Sequence, residues 1–114
     1  MDQITERTDL QERLWRARRF MDERYDLPLD LSEISKQAGL SPYHFLRLFR
    51  DAFKTTPHQY LIQVRVNNAR SLLSAGSGER ALAEVASAVG FADQSHLTRH
   101  FKRIVGVTPK QFRP

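Results

Sequence analysis

The sequence predicts an all-α fold in which two helix-turn-helix subdomains are joined by a long connecting helix. Three observations carry this expectation. Apolar residues recur at spacings of three and four, and no segment shows the period-two alternation of a strand. Leu31 to Leu61 aligns with Leu82 to Arg113 once one residue is inserted near Gln94, so the chain repeats itself once. Each copy carries one glycine between two helical patterns, Gly39 and Gly90, and closes on Thr-Pro, at Thr56-Pro57 and Thr108-Pro109.

Taken in order, residues 1–9 read as a short tail. Leu10 to Tyr25 follows as an amphipathic helix with Leu14, Ala17, Phe20 and Met21 on one face, closed by Asp26-Leu27-Pro28. In the first copy Leu31, Ile34 and Ala38 fall at i, i+3 and i+7, and Gly39 supplies the left-handed residue that ends the helix. Ser41 is placed to cap the next helix, with Pro42 at its first position, where no backbone donor is lost. Phe45, Leu48, Phe49 and Phe53 give that helix one apolar face. Tyr60 to Ala75, with Leu61, Val64, Ala69, Leu72 and Leu73 at helical spacing, reads as one connecting helix ending near Gly76-Ser77-Gly78. In the second copy Leu82, Val85 and Val89 precede Gly90, Asp93 is the cap, and Leu97, Phe101 and Ile104 form the stripe. The expected divisions are a tail over 1–9, a first subdomain over 10–59, a connecting helix over 60–76 and a second subdomain over 77–114.

The repeat is written in specific residues. Leu31/Leu82, Glu33/Glu84, Gly39/Gly90, His44/His96, Arg47/Arg99, Phe49/Phe101, Thr56/Thr108, Pro57/Pro109 and Gln59/Gln111 are identical pairs. A small residue stands four before each glycine, Ser35 and Ala86, and lets the two helices cross closely.

Composition narrows the function. With 114 residues and no cysteine, the chain excludes a large multidomain enzyme, a disulfide framework and a thiolate metal site. No stretch approaches the roughly 18 apolar residues of a membrane span, so a soluble cytoplasmic protein is expected. Lys and Arg exceed Asp and Glu by 18 to 13, and the excess lies beyond residue 30: residues 1–30 hold 6 bases and 8 acids, residues 31–81 hold 7 and 3, and residues 82–114 hold 5 and 2. That balance fits a polyanionic partner or solvated helix faces. No glycine-rich phosphate loop, HExxH motif or carboxylate pair on an apolar face supports an enzyme. His96 and His100 are spaced i, i+4, but no third ligand accompanies them, so no metal and no cofactor is expected.

The second helix of a helix-turn-helix projects its N-terminal half outward, where exposed side chains can enter a major groove about 12 Å wide. The outward set is Pro42, Tyr43, Leu46 and Arg47 in the first copy and Gln94, Ser95, Thr98 and Arg99 in the second. Arginine carries paired donors for a guanine edge and glutamine a donor and an acceptor for an adenine edge, so Arg47 and Arg99, repeated at one motif position, are the leading base readers. Ser41, Arg50, Lys54, Lys102, Lys110 and Arg113 suit phosphate contacts or plain solvated charge.

Gly39-x-Ser41, Phe45-x-Arg47-x-Phe49, and the block from Gly90 through Phe91-Ala92-Asp93-Gln94-Ser95-His96-Leu97-Thr98-Arg99-His100-Phe101-Lys102 to Gly106-Val107-Thr108-Pro109-x-x-Phe112-Arg113 resemble the DNA-binding domain of AraC/XylS transcription regulators. The resemblance covers about residues 10–113 and implies seven helices in two subdomains. It further implies monomeric binding to a bipartite, asymmetric site of about 20 base pairs on double-stranded DNA, and activation involving RNA polymerase. At the matching positions Tyr43, Leu46, Arg47, Gln94, Ser95, Thr98 and Arg99 face bases. Leu46 departs from the polar residue common there, and Ser35 from the usual alanine. Two other readings stay open: a helical adaptor that binds a protein, and the DNA-binding part of a longer ligand-sensing regulator, for which the stretch before Leu10 leaves no sensing segment.

Overall fold

The computed structural model describes residues 3–75 and 80–114; the Gly76-Ser77-Gly78 stretch expected to end the connecting helix lies outside the described residues. Among those described, all regular structure is helical: α1 (Gln3–Arg24), α2 (Leu31–Gln37), α3 (Pro42–Phe53), α4 (Pro57–Ser74), α5 (Leu82–Ala88), α6 (Gln94–Val105) and α7 (Pro109–Phe112). Packing divides the chain into unit 1, Met1–Arg24 with Leu29–Leu61, and unit 2, Tyr25–Pro28 with Ile62–Pro114. Helix α4 therefore contributes its first turn to unit 1 and the remainder to unit 2.

Local chemistry sets most of the helix ends. Asp30 caps α2 in a reciprocal box with Glu33, its Oδ1 accepting from the Glu33 amide at 2.8 Å while Glu33 Oε1 accepts from the Asp30 amide at 3.3 Å. Ser41 caps α3 ahead of Pro42, and Asp93 caps α6, its Oδ1 accepting from the His96 amide at 2.9 Å. Thr56 and Thr108 form matching boxes with Gln59 and Gln111. The box at Thr56 opens α4 at Pro57, so the turn after α3 and the helix expected from Tyr60 are one continuous element. Helix α1 begins at Gln3, and residues 3–9, expected as a tail, are helical. The apolar stripe starts only at Leu10, but no glycine or proline precedes Pro28, and Asp9 pairs with Arg13 at 3.2 Å one turn on.

Both glycine turns have the same hydrogen bonds. In unit 1 the Leu40 amide donates to the Ser35 carbonyl at 3.2 Å and the Gly39 amide to the Lys36 carbonyl at 3.0 Å; in unit 2 Phe91 donates to Ala86 at 2.9 Å and Gly90 to Ser87 at 3.2 Å. This is the six-to-one and five-to-two pairing that closes a helix on a left-handed residue, and φ is +65° at Gly39 and +96° at Gly90. The small residues Ser35 and Ala86 are both buried and both supply the six-to-one carbonyl. Buried Ser35 keeps its hydroxyl satisfied by donating to its own Ser32 carbonyl at 3.0 Å. With Ser41 and Asp93 as equivalent caps, the extra residue of the second copy falls in the turn between Gly90 and Asp93.

In unit 1, α1 packs on α2 and α3, and Leu14, Ala17, Met21, Ile34, Ala38, Phe45, Phe49 and Leu61 are buried. Beside them the Arg18 guanidinium lies 4.7 Å from the Trp15 ring, 4.8 Å from Phe53 and 4.7 Å from Tyr60. Unit 2 packs α5 on α6 and α6 on α7 around Val66, Ala69, Leu73, Val85, Ala86, Val89, Leu97 and Phe101. Tyr25 packs against this core, and half-buried Arg65 holds the segment in place: its Nε donates to the Tyr25 carbonyl at 2.8 Å and its Nη2 to the Leu27 carbonyl at 2.9 Å. No helix among the described residues is long and apolar enough to cross a membrane.

Candidate nucleic-acid interface

Each second helix of a turn has one buried and one bare face. On α3, Phe45 and Phe49 are buried, whereas Tyr43, Arg47, Arg50 and Lys54 are exposed. At about 100° per residue these four fall within roughly 60° of one another, opposite the phenylalanines. On α6, Leu97 and Phe101 are buried, and Ser95, Arg99 and Lys102 occupy the same outward register. Neither Arg47 nor Arg99 forms an ion pair among the described residues, so each guanidinium keeps donors for an external acceptor.

The remaining expected readers sit differently. Gln94 is exposed at the first position of α6. Leu46 and Thr98, one repeat position, lie about a quarter turn from each core face. Leu46 is 36% exposed and forms a wall of a cleft of about 210 Å³ with Leu31, Ile34, Pro57 and Leu61. Thr98 is half-buried, so it stands at the flank of the outward face and not at its centre.

The candidate phosphate ligands also separate. Ser41 Oγ accepts from the His44 amide at 3.3 Å and meets His44 Nδ1 at 3.1 Å, which fixes both side chains at the start of α3. Arg50, Lys102 and Lys110 are exposed. Lys54 ends α3 in the left-handed region at φ +61°, where the second copy has Gly106 at +101°. For a residue with a Cβ this conformation costs about 1–2 kcal/mol. Arg113 is half-buried, and its Nη1 donates to the Arg80 carbonyl at 2.6 Å, so part of its donor set is committed inside unit 2.

The histidines follow separate packing roles. The His100 ring stacks on Phe91, centroids 5.7 Å apart and planes 14° apart, and its Nδ1 lies 3.0 Å from Arg103 Nη2. No group of three or more side chains able to hold a metal occurs among the described residues.

Arg65 was not signalled in the sequence, because an arginine within a helix gives no indication that its acceptors lie some 40 residues away. Burial lowers its pKa, which Asp26 partly opposes. The Asp30–Glu33 box had a readable signature, Asp-x-x-Glu before an apolar helix.

Comparison with known proteins bears on the fold and the family. Residues 34–114 match the model of a helix-turn-helix domain family. The chain is 42% identical over 78 residues to YbfI, an uncharacterised helix-turn-helix-type transcriptional regulator of Bacillus subtilis, covering 68% of this chain and 27% of YbfI. A crystal structure of a Chromobacterium violaceum transcriptional regulator with an AraC-type DNA-binding domain superposes with a TM-score of 0.81 at 27% identity, covering 90% of each chain. The DNA-binding domain of the transcription factor AdpA, solved with a target DNA, gives a TM-score of 0.81 at 30% identity, covering 88% of each chain. This chain spans 37% or less of the length of such curated relatives as the probable regulator LumQ of Photobacterium leiognathi and YbfI. With most of the sequence inside the family match and the fold shared over 88–90% of the chain, the chain belongs to the AraC-type family of helix-turn-helix DNA-binding domains of transcription regulators.

Proposed function

We propose that this chain binds double-stranded DNA sequence-specifically through α3 and α6 and regulates transcription, as a cytoplasmic monomer on a bipartite site of about 20 base pairs. One observation carries the reading: the same helix register of two separate units presents an exposed arginine, Arg47 and Arg99, with no acidic partner among the described residues. Tyr43 and Leu46 complete the first surface, and Gln94, Ser95 and Thr98 the second. Ser41, Arg50, Lys54, Lys102, Lys110 and Arg113 are the phosphate set. Activation through contact with RNA polymerase belongs to the same reading and rests on the family resemblance alone.

Selection of a preferred site from random DNA, followed by mobility shift and footprinting with Arg47→Ala and Arg99→Ala, tests it. A good bidentate base contact is worth about 1–3 kcal/mol, so each variant is expected to lose roughly 5- to 150-fold in affinity. Each is expected to relax base preference in a different half of the site. Uniform loss across all sequences by both variants would overturn the two-reader reading, and absence of any preferred fragment would overturn specific binding.

A further inference from the structure

We propose that Tyr43 is a positioning residue for Arg47, its ring holding the guanidinium in place on the outward face of α3 before DNA arrives. The inference rests on the reading of Arg47 as a base reader, and it gives Tyr43, which completes that surface, the part of holding Arg47 instead of reading a base itself. Tyr43 is 65% exposed, so the core gives no reason for a large aromatic ring there. Its hydroxyl has no hydrogen-bond partner among the described residues. What the ring does touch is Arg47, one turn further along the helix, with the guanidinium carbon 5.8 Å from the ring centroid. The Tyr43 ring also lies 5.9 Å from the His44 ring between centroids, with the planes inclined at 61°, and His44 is tied to the helix cap through Ser41 Oγ at 3.1 Å. Cap, imidazole, phenol and guanidinium form one connected row along the first turns of α3.

Unit 2 lacks the device. The residue one turn before Arg99 is Ser95, which has no ring, and no aromatic contact to Arg99 occurs among the described residues. The two arginines therefore start from different states: Arg47 is partly ordered in the free protein, and Arg99 loses its rotamer freedom on binding. A flexible arginine that must be immobilised on DNA loses affinity to entropy, and stacking beforehand reduces that loss. An exposed cation–π contact corresponds to about a two- to fivefold effect on an equilibrium.

The test uses the full chain, its selected site, and a site altered at the base whose preference Arg47→Ala relaxes. Tyr43→Leu is expected to weaken the selected site by about two- to fivefold and to reduce discrimination at that one base. Combining it with Arg47→Ala should give no further loss, and Tyr43→Phe, which keeps the ring, should behave as the parent. Without DNA, NMR should find the Arg47 side-chain protons displaced upfield by the ring in the parent and in Tyr43→Phe, and returned to ordinary shifts in Tyr43→Leu. Additive losses in the double variant would mean that Tyr43 meets DNA by itself, and equal losses in Tyr43→Phe and Tyr43→Leu would assign the effect to the hydroxyl; either overturns the proposal. If Arg47→Ala relaxes no base, the reader assignment fails instead, whatever Tyr43 does.

Discussion

Alanine at the two turn glycines should have very different consequences although the repeat makes them equivalent. The backbone contribution is shared: both have positive φ, and a Cβ in that region costs about 1–2 kcal/mol. At Gly39 nothing is added, because the nearest atom to a new Cβ is the tip of Arg13 at 4.0 Å. At Gly90 the Cβ would lie 2.6 Å from the Tyr25 carbonyl oxygen, 2.8 Å from Arg65 Nε and 3.0 Å from the Asp26 Cα. Two of these atoms are backbone, so the 25–28 segment has to lift. Lifting it breaks both Arg65 hydrogen bonds, and a bond from a charged donor is worth about 1.5–3 kcal/mol. Gly39→Ala is therefore expected to destabilise by about 1–2 kcal/mol and Gly90→Ala by about 4–8 kcal/mol. Urea unfolding followed by far-ultraviolet circular dichroism measures both losses. The chain's single tryptophan, Trp15, lies in unit 1, so its fluorescence separates a loss confined to unit 2 from unfolding of the whole chain. Equal losses for the two variants would refute the close approach at Gly90, since only the shared contribution would then be acting.

Three other substitutions have expected outcomes. Lys54→Gly should raise stability by about 0.5–1 kcal/mol by relieving its left-handed backbone, and should weaken DNA binding on all sequences with a salt slope lower by about one unit. Calorimetry and salt-titrated mobility shifts measure the two effects; a sequence-selective loss would make Lys54 a base reader. Burial, and then the hydrogen bond that Tyr60 donates to Asp22, raise the Tyr60 pKa above its ordinary value of about 10. The folded state thus holds the phenolic proton more tightly, so this stabilisation is complete below pH 10 and is lost as pH rises through the raised value. Tyr60→Phe should lack that alkaline decline, and an identical pH profile would contradict it. Ser35→Ala should change stability little, within about 0.5 kcal/mol, because among the described residues the hydroxyl bonds only to its own helix; a larger loss would give Ser35 a partner beyond Ser32.

The parts of the fold legible in the sequence are those set by short-range chemistry. Gly39, Gly90, Ser41, Asp93 and the two Thr-Pro pairs act through residues at most a few positions away, and the structure has each of them at a helix end. The outward register of Arg47 and Arg99 was legible for the same reason, since it follows from helix period once Phe45, Phe49, Leu97 and Phe101 are assigned to the core. The start of α1 was not legible, because the apolar stripe marks where packing begins and helical backbone continues beyond it to Gln3. For Leu46 and Thr98 the helix period gives the position, about a quarter turn from each core face, but not the exposure. They lie at the flank, where exposure is decided by neighbouring elements, in the case of Leu46 by Leu31, Ile34 and Leu61. Arg65 and the Arg18 aromatic cage depend on partners distant in the chain and leave no local pattern.

The strap formed by residues 25–28 bears on how the protein could ever be cut. By sequence it closes α1 and falls within the first subdomain over 10–59; by packing it belongs to unit 2. A fragment beginning at Ile62 would retain α5, α6 and α7 yet strip Arg65 of both carbonyl acceptors and remove the Tyr25 side chain from the hydrophobic cluster. A guanidinium left half-buried without acceptors is strongly unfavourable. The second half of the duplication is thus not a transferable module: four residues lent from the other end of the chain make it whole, and a minimal second-half fragment would have to be grafted with them.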